Sequence, residues 1–538
     1  MQWKYSGALA AAFVLGGCVS FPTSRGLNET HQLVAERGIA TALVAGSRDC
    51  ATTNEELTKL TSQPLTTDAA VQIALMCNAE LAADYARLGI ARAETFQAAR
   101  LANPTLSAAV LDSSSRGAAP QIELGLVQNF TNLILRGTKK RFAEGEFLRT
   151  QQLLAGDVLR LAAETKADYY KLVDAQQVAS VRRAIADAMQ TSFDLAKRFN
   201  EAGNLSARVL AEYGAELAEA QVAARRADDE IAEARARLEM RLGIPSSMPW
   251  RVPDQLSLPV TAEDETSALQ ARAAQNRLDL AAATELVALL AASEEAARKY
   301  RWLGNFELGI SYERDPDRSR LLGPSLSVQL PIFDQGQGAV ARAGALKDWG
   351  EAEKRRLTQT VDADVRLTAQ RVLNARARID DFRRQLIPQR QAVVARRQEE
   401  VNFMLTGVFD LIAARRAEFD TYQGYLESLR DYWIARADLE RAVGANLPSA
   451  AHRATDTISV QQLLTPPPAM GTHHGDGTPM PATNTKSGAS DPAQHQGHQD
   501  KPKAVKPRTD HEHHAHDMPG MPMPESAPHP QGQHGEQP

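Results

Sequence analysis

The sequence predicts a mainly α-helical chain with a small β part, arranged as two tandem structural repeats. Three observations support this prediction: long stretches with apolar residues at helical spacing, four short segments that alternate with a period of two, and a motif that returns 201 residues later. Of the 538 residues, 43% are hydrophobic and 24% charged, with a formal net charge of −5. This balance excludes a wholly disordered chain, a polytopic helical membrane protein and a general nucleic-acid binder.

The amino terminus resembles the signal of bacterial lipoproteins. Lys4 precedes an apolar run over residues 8–14, and Leu15-Gly16-Gly17-Cys18 then resembles a lipobox, whose cysteine receives lipid such as palmitate. This predicts a signal peptide at 1–17, lipidation of Cys18 and a lipid-anchored segment at 18–64. An ordinary signal peptide with an incidental cysteine is the alternative. Because no aspartate follows the cysteine, we expect the outer membrane to be the destination.

Cysteine usage predicts one disulfide. Only three cysteines occur, which excludes a disulfide-rich scaffold and a Cys-rich zinc protein. Export would leave Cys50 and Cys77 in an oxidising compartment, where two thiols tend to be bridged. Two buried free thiols are the alternative, and the spacing alone leaves it open.

The repeat is visible as a motif that recurs. Ala234-Arg235-Ala236-Arg237-Leu238-Glu239 returns as Ala435-Arg436-Ala437-Asp438-Leu439-Glu440, and Gly203 has an expected counterpart in Gly407. The predicted boundaries are 65–245 for the first repeat, 246–266 for a linker, 267–446 for the second repeat, 447–464 for a carboxyl-terminal (equatorial) segment and 465–538 for a tail.

Each repeat contains one predicted β-hairpin. Around Phe306, Leu308 and Ile310 the apolar residues alternate with polar or small ones, as in a strand with one apolar face. The predicted strands cover about 105–112, 121–129, 305–313 and 324–332. Strands of this length cross a bilayer when tilted, and an open sheet edge in lipid is costly. Three copies would supply a 12-stranded transmembrane β-barrel, whereas a soluble α+β protein with two ordinary hairpins is the alternative.

Long helices fill the rest of each repeat. Residues 141–199 and 341–404 contain little that breaks a helix except Pro388, which predicts a kink. Sixty helical residues reach roughly 90 Å, and the apolar stripe has coiled-coil spacing. The chain must then turn sharply near Gly203 and Gly407, because glycine permits such turns.

In order along the chain, four motifs resemble those of the TolC family of outer-membrane efflux factors, over about residues 30–450. They are Leu65-Thr66-Thr67-Asp68-Ala69-Ala70, Arg277-Leu278-Asp279-Leu280, Pro331-Ile332-Phe333-Asp334-Gln335-Gly336 and the run from Gly407 to Arg415. The resemblance implies a homotrimer with a 12-stranded barrel in outer-membrane lipid, and long helical hairpins that form a periplasmic α-barrel. It also implies two partners, a periplasmic adaptor (membrane fusion) protein and an inner-membrane RND-type pump.

The resemblance also implies site residues at the helical tips. Adaptor contacts are expected at Gly203, Asn204, Leu205, Gly407 and Val408. The alternative is that both glycines only cap helices. Asp410 is the candidate pore-constriction residue, and the alternative is that it is only a solvated surface aspartate. Near it, the apolar Met404 and Phe409 depart from the polar partners that the resemblance leads us to expect.

The carboxyl-terminal tail has the composition of a metal-binding segment. From Thr465 onward it holds ten of the twelve histidines and five of the eleven methionines, with too few large apolar residues to fold alone. Imidazole suits Cu(II), zinc and nickel, whereas thioether favours Cu(I) or Ag(I). Copper is therefore the favoured metal, with zinc, nickel and cobalt or a merely solubilising tail as alternatives. The candidate ligands are His473, His474, His495, His498, His511, His513, His514, His516, Met518, Met521 and Met523.

These features lead to three functional hypotheses. The first is a lipid-anchored outer-membrane channel, mostly in the periplasm, that exports copper-type ions (Cu or Ag) while its tail captures metal. The second is the same channel for drug efflux or type I secretion, and the third is a periplasmic metal-buffering lipoprotein. No enzyme motif occurs, so we expect neither catalysis nor an obligatory cofactor beyond metal bound by the tail.

Overall fold

The computed structural model describes residues 26–39, 50, 55–112 and 119–447, and these form helices with one small antiparallel sheet. The prediction of a mainly α-helical chain with a small β part is confirmed as far as the secondary-structure content is concerned. The elements before the second half are α1 (Leu27–Ala35), α2 (Glu55–Thr61), α3 (Thr67–Cys77), α4 (Ala79–Ala98), β1 (Thr105–Leu111), β2 (Gln121–Asn129), α5 (Phe130–Glu201) and α6 (Ala207–Leu242). The others are α7 (Thr266–Asn276), α8 (Leu278–Lys299), β3 (Phe306–Arg314), β4 (Arg320–Val328), α9 (Gln337–Asp381), a π-helical turn (Phe382–Leu386), α10 (Ile387–Asn402) and α11 (Val408–Val443).

The four strands form one sheet in the order β1-β2-β3-β4, with every neighbouring pair antiparallel. The fourth strand differs from the predicted range 324–332, because β4 begins at Arg320 and ends at Val328. Arg314 pairs directly with Arg320, so the hairpin closes around a short turn whose Arg318 has a φ of 74°. Pro324 is accommodated within β4, an edge strand of this sheet, where proline is tolerated.

The longest helix, α5, has 72 residues and extends the predicted range at both ends. It would span roughly 110 Å at 1.5 Å per residue. It begins where the Asn129 side chain accepts a hydrogen bond from the Asn132 backbone N–H at 3.0 Å. Leu154, Val158 and Leu172 are buried along one stripe, so packing against its neighbours stabilises a helix of this length. Among the described helices, none is apolar over a long enough stretch to cross a bilayer.

The predicted kink at Pro388 takes the form of a π-helical turn immediately before it. Residues 382–386 adopt this wider turn, and Pro388 then occupies the first turn of α10. Proline lacks an N–H donor and its ring clashes with the carbonyl four residues earlier, so an extra residue in the turn relieves both problems. The Phe382 ring packs on Gly424 of α11, where an added Cβ would lie 2.9 Å from Phe382 Cζ.

This contact gives a first prediction. We expect Gly424→Ala to lower the free energy of unfolding by about 1–3 kcal/mol, because the new methyl group overpacks the Phe382 ring. Chemical unfolding of the purified chain measures the loss, and hydrogen exchange over residues 379–390 locates it. Gly344→Ala is the matched control, since only the end of a flexible glutamate lies within 4 Å of its added Cβ. Equal stability of the two variants would contradict the prediction.

Two side chains at helix junctions hold the ends of the returning helices. Asn78, between α3 and α4, donates to the carbonyl of Arg241 near the end of α6, at 3.0 Å. Arg277, between α7 and α8, donates to the carbonyls of Arg441 and Ala442 near the end of α11, at 3.3 and 3.2 Å. Donors at a carboxyl-terminal helix end satisfy its free carbonyls and suit the helix dipole. The motif that begins at Arg277 therefore has a structural role.

Candidate functional site

The sheet has two chemically different faces. Register partners share a face, so the pairing assigns every strand residue to one side. One face carries Leu106, Ala108, Val110, Ile122, Leu124, Leu126, Gln128, Phe306, Leu308, Ile310, Tyr312, Arg314, Arg320, Leu322, Pro324, Leu326 and Val328. The other carries Thr105, Ser107, Ala109, Leu111, Gln121, Glu123, Gly125, Val127, Asn129, Glu307, Gly309, Ser311, Glu313, Leu321, Gly323, Ser325 and Ser327.

The apolar face of the sheet is exposed, although apolar residues are usually buried. Leu106 is 72% exposed, Leu322 74% and Leu326 63%. In a soluble antiparallel sheet the apolar face packs on the core and the polar face meets water. Contiguous apolar patches larger than a few hundred Å² are rare on soluble monomers. The sheet therefore requires an apolar environment outside this chain.

The polar face is formed by small and acidic residues. Glu123 and Glu313 are direct register partners, and Gln121 Nε2 donates to Glu123 Oε1 at 3.1 Å and to Glu313 Oε1 at 2.6 Å. The other residues of this face on the central strands include the small Gly125, Gly309 and Ser311. No lysine or arginine lies on this face in the described strands. Its chemistry suits contact with water and cations.

Aromatic side chains mark both ends of the apolar face. At the end next to the helices, Trp302 and Phe333 are 56% and 93% exposed, and the Phe130 and Phe306 rings meet edge to face at 6.0 Å. At the end next to the hairpin turns lies Tyr312. Aromatic residues at two levels that enclose an apolar band are typical of surfaces that cross a bilayer.

Both outer strands of the sheet are open. In the described part of the chain, β1 pairs only with β2 and β4 pairs only with β3. The outer edge of each therefore presents backbone donors and acceptors with no strand beside them. Such edges invite pairing with another chain in water and must be paired in lipid.

At the first helical tip, α5 turns into α6 through Gly203. Its φ is +77°, and the Asn204 N–H donates to the Phe199 carbonyl at 2.9 Å, a helix-ending pattern that favours glycine. Ser206 caps α6 by accepting from the Val209 N–H at 3.4 Å. Gly203 and Asn204 are exposed, and Leu205 is half-buried.

At the second tip, Gly407 is not the left-handed residue of the turn. Its φ is −82° and it is the N-cap of α11, whereas Met404 takes the left-handed conformation with a φ of +58°. The Leu405 N–H donates to the Glu400 carbonyl at 2.8 Å, as Asn204 does to Phe199. Met404 thus matches Gly203 in the turn, and Gly407 matches Ser206. Met404 is 92% exposed, and Val408 is also exposed.

The two tip glycines should respond differently to substitution. We expect Gly203→Ala to destabilise the first tip by about 1–2 kcal/mol, because a Cβ is disfavoured in the left-handed region. Gly407→Ala is the matched control and should change stability little, since its backbone is extended and the nearest atom to an added Cβ is 3.8 Å away. Hydrogen exchange over residues 198–206 and 401–410 measures both effects. Equal protection losses at the two tips would contradict a left-handed Gly203 and an extended Gly407.

An aromatic cluster joins the two tips. The Phe409 ring stacks on Tyr213 at 4.5 Å and lies 6.0 Å from Phe199. In the sequence, Phe409 stands where polar partners are expected, and this contact explains its apolar character. The cluster ties the α9–α11 hairpin to the α5–α6 hairpin.

Asp410 is exposed and caps the start of α11. Its carboxylate accepts from Thr406 Oγ1 at 2.6 Å and from the Gly407 N–H at 3.4 Å. The hydrogen bond from Thr406, and then that from Gly407, lower the pKa of Asp410 below its usual value, so it is charged at neutral pH. Its role at a pore constriction stays a prediction.

No protein-family model matches the chain, and no curated protein matches it. Among solved structures, the outer-membrane channel OprN has a TM-score of 0.60 at 17% identity, over 75% of this chain and 96% of that chain. CusC, described as forming a transmembrane channel, has a TM-score of 0.59 at 14% identity, over 71% and 92% of the two chains. The chain has the fold of TolC-like outer-membrane channels. The open-state outer-membrane channel MtrE of Neisseria gonorrhoeae agrees, with a TM-score of 0.58 at 16% identity, over 75% and 95%.

Within this TolC-like fold, Cys50 and Cys77 are buried and bonded to each other, with their Cα atoms 5.8 Å apart. The bond ties the segment before α2 to the end of α3. The predicted lipidation site Cys18 lies outside the described residues, as do all eleven candidate metal ligands between His473 and Met523. Over the described ranges, no group of three or more His, Cys, Asp or Glu side chains could hold a metal ion.

Proposed function

We propose that this chain is one of three identical subunits of an outer-membrane efflux channel for copper-type metal ions. The observation that carries the proposal is the four-stranded sheet, whose exposed apolar face lies between aromatic residues at the helix end and Tyr312 toward the turn end, with a polar, acidic face behind it. A bilayer supplies the apolar environment that this face needs. A soluble scaffold for metal buffering has no use for such a sheet.

Association of three copies would close the sheet. Four strands leave two open edges in each chain, and pairing β1 of one copy with β4 of the next gives twelve strands without an edge. The apolar faces would then meet lipid, and the faces that carry Glu123, Glu307 and Glu313 would line the lumen.

The helices would continue the channel through the periplasm. Two observations support tandem repeats: Gly203 and Met404 occupy matching positions in the two turns, and Gly243 and Gly444 end α6 and α11 in the same left-handed conformation. The exposed tips, with Gly203-Asn204-Leu205 in one and Gly407-Val408 in the other, are the proposed contacts for a periplasmic adaptor. An RND-type pump in the inner membrane would complete the system.

The cargo is inferred from the tail. Histidines interleaved with Met518, Met521 and Met523, and no cysteine, form a ligand set that favours copper or silver. A lipid on Cys18 would hold the amino terminus at the same membrane. The tail would capture metal in the periplasm and raise its concentration near the channel.

Metal tolerance of a strain that lacks this chain tests the proposal. The strain is complemented with the full chain or with a chain that ends at Leu464, and grown with copper, silver, zinc, cobalt or nickel salts. We expect sensitivity to copper or silver alone, rescued by the full chain and less well by the shortened one. Unchanged tolerance to every ion, with new sensitivity to drugs or detergents, would instead assign the channel to general efflux.

A further inference from the structure

We propose that Arg314 and Arg320 form a binding site for the phosphate groups of a lipid in the outer leaflet of the membrane. The inference rests on the proposed function, because it requires the apolar face of the sheet to meet lipid. It adds a specific ligand chemistry at one level of that face.

The two arginines lie at the end of the apolar face. Arg314 is a direct register partner of both Ile122 and Arg320, and Ile122 pairs with Val110. One row across the sheet therefore reads as two aliphatic residues followed by two arginines. The next row toward the helices contains Tyr312 and Leu322, so the arginines lie where the apolar band gives way to the hairpin turns.

Within the described residues, no carboxylate forms an ion pair with either arginine of this pair. Like charges directly opposite on neighbouring strands destabilise a sheet. No described carboxylate lies within ion-pair distance of either guanidinium, and Arg314 Nε is buried without a hydrogen-bond partner. Asp315 and Asp317 in the adjoining turn contact Ser319 and form no ion pair with either arginine, since Asp315 accepts from Ser319 Oγ at 3.1 Å and Asp317 from the Ser319 N–H at 2.8 Å.

A phosphorylated lipid fits this arrangement. Guanidinium groups bind phosphate through two parallel, charge-assisted hydrogen bonds, and arginine near the edge of a membrane span reaches the headgroup level. The aliphatic and aromatic residues below the pair would lie against the acyl chains of the same molecule. The turns are at the end of the sheet remote from the helices, which in the proposed channel is the outer side. A diphosphorylated glycolipid of the outer leaflet therefore matches both the charge and the apolar surface.

The test measures binding of diphosphoryl lipid A to the full chain in a neutral, phosphate-free detergent, by native mass spectrometry. The variant is Arg314→Gln with Arg320→Gln. The control is Arg371→Gln with Arg390→Gln, which removes the same charge from two helical arginines that form no ion pair in the described chain. We expect binding to the variant to be about tenfold weaker, and binding to the control to equal that of the wild type.

Further binding measurements distinguish the lipid from other ligands of the two arginines. Monophosphoryl lipid A should bind wild type more weakly than the diphosphoryl form, and this preference should vanish in the variant. Equal binding to wild type and variant, or an equal loss in variant and control, would overturn the inference. If inorganic phosphate alone saturates the site and displaces the lipid, the site serves free phosphate and the lipid assignment is wrong.

Conductance in planar bilayers, recorded on the same preparations, distinguishes failure of the inference from failure of the proposed function. If the wild type forms channels but its lipid binding does not depend on the two arginines, only this inference is wrong. If the wild type neither inserts into the bilayer nor conducts, the proposed function is wrong, and so is the lipid site that rests on it. A variant that conducts like the wild type is folded, so its loss of lipid binding can be assigned to the two side chains.

Discussion

Replacing Ile310 by arginine is expected to prevent the chain from entering the outer membrane, whereas replacing its neighbour Ser311 by arginine should be tolerated. Ile310 lies midway along β3 on the apolar face, in register with Leu126 and Pro324. Ser311 points to the opposite face, between Gly125 and Gly323, where a longer side chain has room. An arginine at the bilayer midplane on the lipid side costs about 2–4 kcal/mol, and the proposed trimer would carry three of them.

The pair of variants also separates the membrane sheet from a soluble one. Ile310 is 57% exposed in the isolated chain, so in a soluble protein arginine there would be harmless or would improve solubility. Density-gradient fractions of cell membranes and detergent-resistant trimers on gels measure insertion. We expect Ile310→Arg to lose the outer-membrane trimer band and Ser311→Arg to keep it. Insertion of both variants at the wild-type level would remove the basis of the channel proposal.

Most strand positions can be predicted from the sequence, because the alternation that identifies a strand involves only neighbouring residues. Alternation of apolar with small or polar residues identifies β1, β2 and β3 to within a residue or so of their structural bounds. The limits of β4 were not predictable in this way, because the alternation continues through Leu330 after pairing has ended. Those limits depend on where Arg320 meets Arg314, and this register is set by the turn and by the partner strand.

The second tip shows why matching residue types can mislead. Gly203 suggested Gly407 as its counterpart, 204 residues later, yet the turn places Met404 in the left-handed position, 201 residues after Gly203. The same separation relates the recurring six-residue motif. The hydrogen bond from the Leu405 N–H to Glu400 fixes the conformation, and the chain tolerates the strain of a non-glycine residue there.

Contacts between distant residues were beyond sequence reasoning. The Tyr213–Phe409 stack, the hydrogen bonds of Arg277 to the end of α11 and the placement of Phe382 on Gly424 all depend on how the long helices pack. Periodicity indicates which side of a helix is apolar, but it does not indicate the partner helix or the level of contact. The chemistry of the tail, by contrast, is read from composition alone.

A buried ion pair that holds the linker between the two halves gives the last prediction. Arg436 of α11 pairs with Glu263, which also accepts a hydrogen bond from the Tyr432 hydroxyl. Both ionic side chains are less than a tenth exposed. The same helix binds the linker at two more points, because Trp433 Nε1 donates to the Ser257 carbonyl at 2.7 Å and the Val260 N–H donates to Tyr432 at 3.1 Å.

We expect Arg436→Met to lower the free energy of unfolding by about 3–5 kcal/mol, because it leaves the Glu263 carboxylate buried without its counter-charge. The double variant, Arg436→Met with Glu263→Gln, should recover much of this loss, since no buried charge is then unpaired. Chemical unfolding of the full chain in detergent measures both. Arg441→Met is the control, because its carboxylate partner Asp438 is 37% exposed and a surface pair contributes little. If the double variant is as unstable as the single one, lost packing around Arg436 and not an uncompensated charge determines the effect.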